Sequence, residues 1–553
     1  MESRRHLLRH RAGDCGRALP PSGSKVPTTC PRREKSPMQA PYDTEVTADV
    51  FAKAKNTFNC LIGQLTDTAS GMLTHDRLEE TIVEQGRELQ RQLLQAHLDL
   101  RALRERQLAH HTRRHHAAGA AAPVVGSDGV PRPRLETGHH RLLATVVGTV
   151  TVTRCAWRAP GVRNLYPADA VLSLPAVRHS AGLAKLAVIE TVRGSFDAAH
   201  AALAARCGNV IGKRQIEQAI VAAAVDVDAF YAARAPLPCT ACTVLAISVD
   251  GKGIAMRPEA LRPATAKAAA RARATFRSRL AAGEKPARKR MATLGVVYDA
   301  ESAPRRPHDV IAVPGGRAGQ RLPRARPSAI RKWLCGSIST GPAAVIAKVF
   351  DHAEARDPGH ARPWVVLVDG ARHQLDLITA QAARRGIGVH IVIDFVHVLE
   401  KLWAAAWSLH PPAAAAAEDW VAGHALALLA GNTGHVITAL TGQVATTAAH
   451  RRDGIDACIR YLTNNLEYLR YDQALEAGWP IATGVIEGAC RHLIADRFDL
   501  AGARWGLAGA EAVLKLRALI ANGDLDEYWR FHRARQHERV HQNDYQDGYS
   551  LTA

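Results

Sequence analysis

The chain has no uninterrupted apolar run of the length, about 18 residues, that a membrane-crossing helix needs. Its most alanine-rich stretch, 411–430, is broken by Glu418 and Asp419. The first 40 residues are basic and proline-containing without a continuous apolar segment, so no secretory signal is expected there. Cysteine is sparse and scattered, with ten in 553 residues, which argues against a disulfide scaffold. Only Cys239 and Cys242 form a C-x-x-C, and a ribbon-type zinc site needs a second pair. Acidic residues are outnumbered, 52 against 72 Lys and Arg, which leaves a formal charge of +20. A balance this basic calls for a polyanionic partner. With no membrane span in view, the expectation is a cytoplasmic protein acting on nucleic acid.

What is present divides into segments. Apolar residues make up 47 % of the chain, enough for sizeable cores in several domains. Residues 1–40 are expected to be a disordered basic tail. Residues 44–118 are helical in composition, and Leu78, Ile82 and the leucines at 89, 93 and 94 recur at helical spacing. This long amphipathic helix is either a dimerising coiled coil or packed on the next domain. A Gly/Pro/Ala-rich linker follows at 119–138, then a small hairpin over 142–154 with Cys155 just after it. Residues 180–232 suggest two helices broken at Cys207–Gly208, the second starting near Lys213, Arg214 and Gln215. That pattern fits either a helix-turn-helix, whose second helix reads the major groove, or a plain helical hairpin. The whole of 140–235 is read as a DNA-binding region.

From residue 243 short apolar runs take over: VLAISVD (244–250), MATLGVVYD (291–299), VIAV (310–313), PWVVLVD (363–369) and IGVHIVID (387–394). Strands of this kind, separated by helix-length segments, predict a mixed α/β sheet with a buried centre, spanning 243–402. A basic helical excursion, 257–290, lies between the first two. Residues 397–480 are nearly all helical in composition, and a helix around 509–522 is followed by a polar, His-rich tail at 536–553.

Two of the strands deliver an aspartate at their C-terminal ends, Asp250 and Asp369, each followed by glycine. Glu487 lies in a helix-compatible segment, with Arg491 four residues on and expected on the same face. Phosphodiester chemistry explains such a set. Two divalent metals activate the attacking oxygen and stabilise the leaving one, and hard ions such as Mg²⁺ prefer carboxylate oxygens. Lys252, Arg372 and Arg491 are candidates for phosphate contact, each also readable as a solvated or locally paired charge.

The ordered blocks VDGKG, LVDGA, IDFVHVLEKLW and GVIEGACRHLIADRFDLAGARWGLAGAEAVLKLRAL resemble the DDE transposases of bacterial insertion sequences, in particular the ISKra group, over roughly 140–535. The resemblance implies a ribonuclease H-like α/β core with a helical insertion at 403–480 and its last part at 481–535, preceded by a mostly helical DNA-binding region. It implies cleavage and strand transfer at the terminal inverted repeats, with Mg²⁺ or Mn²⁺ held by Asp250, Asp369 and Glu487. Element ends and target DNA are then the partners, and the protein acts as at least a dimer. Asp394 and His397 match a Cys/Asp-x-x-His step of similar transposases, which suggests a supporting role more than metal ligation. In the insertion, Trp403, Trp407 and Trp420 are candidates for stacking on bases, against ordinary core packing. The zinc-knuckle cysteines of some relatives are missing after the hairpin. The rival readings are a host nuclease or resolvase on the same fold, and a non-catalytic DNA-binding remnant.

Overall fold

A computed structural model describes residues 50–116, 124–235, 243–272, 288–314, 324–411 and 414–546. The expected basic tail, Cys239–Cys242, the middle of the basic excursion and the last residues lie outside these.

The chain is mixed α/β around one five-stranded sheet, in the order β5-β4-β3-β6-β7. Its strands are β3 (Thr243–Ala255), β4 (Lys289–Glu301), β5 (Ala329–Ser337), β6 (Trp364–Val368) and β7 (Val389–Ile393). β3 pairs antiparallel with β4 and parallel with β6; β4 pairs antiparallel with β5, and β6 parallel with β7. Central position explains the near-continuous apolar runs. Residues 244–249 of β3 and all five of β6 are buried, because helices cover both faces. The helix Pro342–Arg356 approaches so closely that a Cβ on Gly295 would meet Val349 at 2.3 Å.

The expected strand at 310–313 is not formed. Pro307–Val310 is a helical turn, and the third strand is Ala329–Ser337. As an edge strand it exposes Arg331 and Lys332, which breaks the apolar run by which the sequence marks buried strands.

After β7 come the helices Phe395–Leu409, Ala415–Leu429, Thr433–Thr446, Asp453–Asn464 and Tyr471–Glu476. The helix Gly484–Ala489 follows, continues into a π-helical turn, Cys490–Ala495, and gives way to Leu507–Ala521 and Leu525–Val540. The supposed tail is therefore structured through much of its length: His541 and Tyr545 are buried, and Tyr545 packs with Val124 and Trp157.

Within 140–235, the hairpin packs mostly in small clusters apart from the sheet, whereas the helices share the sheet's core. Leu183 and Val188 of the helix Ala181–Arg193 join the sheet's hydrophobic core, as do Ile216 and Ile220 of the helix Lys213–Ala223. The hairpin is longer than expected, with β1 at Arg134–Thr145 and β2 at Gly148–Arg158, so β1 takes up the end of the linker. The N-terminal helices, Ala52–Thr66 and His75–His116, are two rather than one. The longer one packs Leu98 against Leu143, Val150 and Val152 of the hairpin. It also closes the outer edge of β2. The Gln95 side chain accepts from Thr151 N at 2.8 Å and donates to Thr151 O at 2.9 Å, and Glu105 accepts from Cys155 N at 3.0 Å. An unpaired strand edge is thereby satisfied by one helix face.

Candidate active site

The parallel pairing of three strands ends at one level, although β3 itself runs on to Ala255, so Asp250 lies inside its strand and not at the strand's end as the sequence suggested. The last β3–β6 pair is Ser248↔Leu367, and the last β6–β7 pair is Val368↔Ile393. Asp250 and Asp369 each stand two residues beyond the first pair. Asp369 and Asp394 each stand one residue beyond the second. The three aspartates thus occupy equivalent register positions on neighbouring strands, whose backbones are spaced by roughly 5 Å. The order β3, β6, β7 puts Asp369 in the middle and Asp394 on the outside.

Each carboxylate is fixed differently. Asp250 Oδ1 accepts from Gly251 N at 2.6 Å, and its Oδ2 accepts from the Cys490 thiol at 3.2 Å. Burial, and then the charge of Asp250, push that thiol far above the ordinary range, so it stays protonated and acts as a donor. Asp369 Oδ1 accepts from Ala371 N at 3.0 Å, while its backbone oxygen accepts from Tyr461 Oη at 2.8 Å. Gly370 takes a φ of 85°, and a Cβ there would lie within 3.2 Å of both Asn465 and Tyr461. Glu487 Oε1 accepts from Thr483 Oγ1 at 2.8 Å.

Asp394 is fully buried, and four N–H groups occupy its carboxylate. Oδ1 accepts from Val396 N at 3.2 Å and Thr483 N at 3.1 Å; Oδ2 accepts from His397 N at 3.4 Å and His397 Nδ1 at 2.6 Å. It caps the helix Phe395–Leu409 and ties it to the segment that leads into Glu487. Burial pulls the His397 pKa down, but the bond to Asp394 and the charges of Asp394, Glu400 and Asp369 more than reverse this. The imidazole is held above its usual value.

Among the described residues, the only His/Cys/Asp/Glu group whose ligand atoms all lie within 4.8 Å of one another is Asp394, His397 and Glu487. Asp250 and Asp369 stand outside it. Proximity and donor capacity point in different directions here. Asp394 has its lone pairs occupied, whereas Asp369 Oδ2 and Glu487 Oε2 accept no hydrogen bond from the described residues. The acceptors left open are hard carboxylate oxygens, the chemistry that Mg²⁺ and Mn²⁺ prefer.

Arg491 does not share a regular α-helical face with Glu487, because the π-helical turn starts between them, at Cys490. A π-turn displaces backbone carbonyls from their usual partners. Here the buried Arg517 takes up those of His492 and, at 3.0 Å, Leu493. Arg491 itself is exposed.

Lys213, at the first position of its helix, pairs with Asp197 at 2.6 Å, and Arg214 is exposed beside it. Lys252 is half-buried on β3, two residues beyond Asp250. Arg372 pairs within its own helix with Asp376 at 3.1 Å, the locally paired alternative. Trp403 is half-buried against the core, and the ring offered to solvent is Trp407, which is 60 % exposed. Cys155 is buried and belongs to no metal-ligand cluster among the described residues.

Sequence reasoning missed Cys490, Thr483 and Tyr461. Thr483 and Cys490 flank Glu487 at i−4 and i+3, the spacings that put neighbours on a helix, and that was a usable signal. Tyr461 had none, since its contact with Asp369 spans 92 residues. Comparison of the chain with protein-family models and with curated proteins finds no match.

Proposed function

We propose that this protein is a DNA transposase of the DDE type, with Asp250, Asp369 and Glu487 as its catalytic carboxylates on a ribonuclease H-like core. One observation carries the reading. Asp250 and Asp369 lie at equal register on adjacent parallel strands, two residues past the last pair those strands share, and the helix bearing Glu487 is bonded to Asp250 through Cys490. The antiparallel β5-β4-β3 unit extended by parallel β6 and β7 is the sheet such a core requires.

Asp250, Asp369 and Glu487 would hold Mg²⁺ or Mn²⁺, which supplies activation of the attacking oxygen and stabilisation of the leaving one. The chain's own residues hold the carboxylates in place. The Cys490 thiol and Gly251 N orient Asp250, Ala371 N orients Asp369, and Thr483 Oγ1 orients Glu487. Asp394 fixes the distance between β7 and the Glu487 helix. His397, biased toward its protonated form, offers a positive charge beside them. Partners are then the element ends and target DNA, in an assembly of at least two copies.

The test is nicking of a labelled duplex carrying an element end, with Mg²⁺ or with chelator. Glu487→Gln keeps the acceptor for Thr483 but is a poor ligand for a hard ion. It is expected to lower nicking by about a hundredfold or more while end binding stays within about twofold. Metal-independent nicking, or a fully active Glu487→Gln, sinks the assignment. Nicking without strand transfer favours a nuclease on the same core.

A further inference from the structure

The antiparallel ladder of β3 and β4 does not stop at the carboxylates. It continues five residues past Asp250, to Ala255↔Lys289, whereas β6 pairs with β3 only up to Ser248. A two-stranded ribbon therefore projects beyond the platform. Its end is pinned on a second side: Trp505 N donates to Ala255 O at 3.2 Å and Arg257 N to Trp505 O at 2.9 Å. Below, Trp505 packs on Phe498, with the buried Arg497 guanidinium 4.7 Å from its ring. The ribbon end and the loop 502–506 are thus held together.

The charge here is one-sided. Between Lys252 and Arg290 the described residues carry eight Lys or Arg against Glu259 alone. Arg257, Arg262, Lys267, Arg288 and Arg504 are all exposed, and among the described residues none of them forms an ion pair. Arg290 is held by the carbonyls of Ala260, Ile338 and Ser339, and Arg262 stands close enough to depress its pKa, after burial. Arg257 and Arg504 line one cavity with Lys213, while Arg504 and Arg288 line the next. Asp197, which pairs with Lys213, and Glu217 also line the first cavity, so the cations without an ion pair among the described residues run from Arg257 and Arg504 to Arg288. No aromatic residue occurs among the described residues of 250–272 and 288–294, and Trp505 of the loop is buried against Phe498, so the ribbon offers unpaired bases little to stack on.

We infer that the ribbon end and the loop 502–506 are a seat for the phosphate backbone of double-stranded DNA beside the scissile bond. This rests on the proposed transposase reading and adds where the duplex is gripped. At about 3.3 Å per residue, Arg257 lies on the order of 20 Å along the ribbon from Asp250, or about half a turn of duplex. Each phosphate contact releases counterions, so the seat has a measurable signature in salt dependence.

The test uses the full chain, a fluorescein-labelled 40-base-pair duplex of mixed sequence, and chelator to prevent cutting. Binding is titrated from 50 to 300 mM NaCl for wild type, R257Q/R504Q and the control R530Q/R533Q, whose exposed arginines lie on the helix Leu525–Val540. The seat predicts that the slope of log K against log salt flattens by about 2 in R257Q/R504Q only, because each contact contributes about 0.9. R257K/R504K should restore most of the slope, which separates lost charge from lost structure. An unchanged slope in R257Q/R504Q overturns the inference, as does tighter binding of a 40-nucleotide single strand than of the duplex. The parent reading is judged apart, by Mg²⁺-dependent nicking of wild type. A wild type that nicks beside a double variant with full slope discards only the seat. A flattened slope in a chain that never nicks keeps the seat and discards the transposase.

Discussion

Asp394 and Thr483 are joined by a hydrogen bond of 3.1 Å across 89 residues of sequence, and through it the outermost strand end holds the start of the Glu487 helix. This bond separates two aspartates that look alike in sequence.

Asp369→Asn is expected to lose nicking with little change in melting temperature, because the backbone carbonyl rather than the carboxylate meets Tyr461. Asp394→Asn puts an NH2 group among N–H donors and breaks a buried charge-assisted bond. A stability loss of about 2–4 kcal/mol is expected, with some cleavage surviving per folded molecule. Thermal melting and nicking of both variants check this. A stable, inactive Asp394→Asn beside an active Asp369→Asn would exchange their roles.

His397 gives a pH dependence whose sign is fixed. Its native pKa is raised above 6.5, so its contribution to stability is complete below 6.5 and is lost as pH rises through the native value. The melting-temperature gap between wild type and His397→Gln should be widest near pH 6 and shrink toward pH 9. A gap that stays constant or widens with pH would show that the Asp394 pair does not favour the charged imidazole.

Glu105 behaves in the opposite functional sense. Burial pushes its carboxyl up to about 7 from 4.5, against the bond from Cys155 N. A raised native value again means stability present below the unfolded pKa and lost as pH rises, here between 4.5 and 7. The charged form at pH 8 costs at most about 3 kcal/mol. Glu105→Gln keeps the acceptor, so it should stabilise the protein at pH 8 and leave it unchanged at pH 4. Urea unfolding at the two pH values decides; a destabilised variant at pH 8 refutes the assignment.

Strands buried on both faces were legible, because VLAISVD and WVVLVD have no reason to be so apolar elsewhere. β5 was not, because one of its edges faces solvent and it carries Arg331, Lys332 and Trp333 where a buried strand would repeat valine. Asp369 was legible as a strand-end residue, whereas Asp250, read the same way, lies inside β3, because the glycines and lysine after it continue the ladder with β4 without adding apolar residues to mark it. Their fastening was not legible, since Cys490 meets Asp250 across 240 residues and neither residue type announces the other. The helix Lys213–Ala223 was visible as a helix, but its apolar face gives no sign that it packs into the sheet's core and not into one of its own.

The same sequence separations govern when the set of carboxylates becomes complete during synthesis. Asp250 leaves the ribosome early, Tyr461 and Thr483 much later, and the Cys490 thiol later still. At about 5–20 residues per second, the 237 residues from Asp250 to Glu487 take on the order of 10–50 seconds. Throughout that interval the nascent chain lacks the complete set of carboxylates, and it also lacks Arg504 and Trp505, which follow Glu487 and hold the ribbon end. On the proposed reading, the grip on DNA and the set of carboxylates are therefore completed by the same last stretch of chain, and a product truncated before Glu487 would lack both.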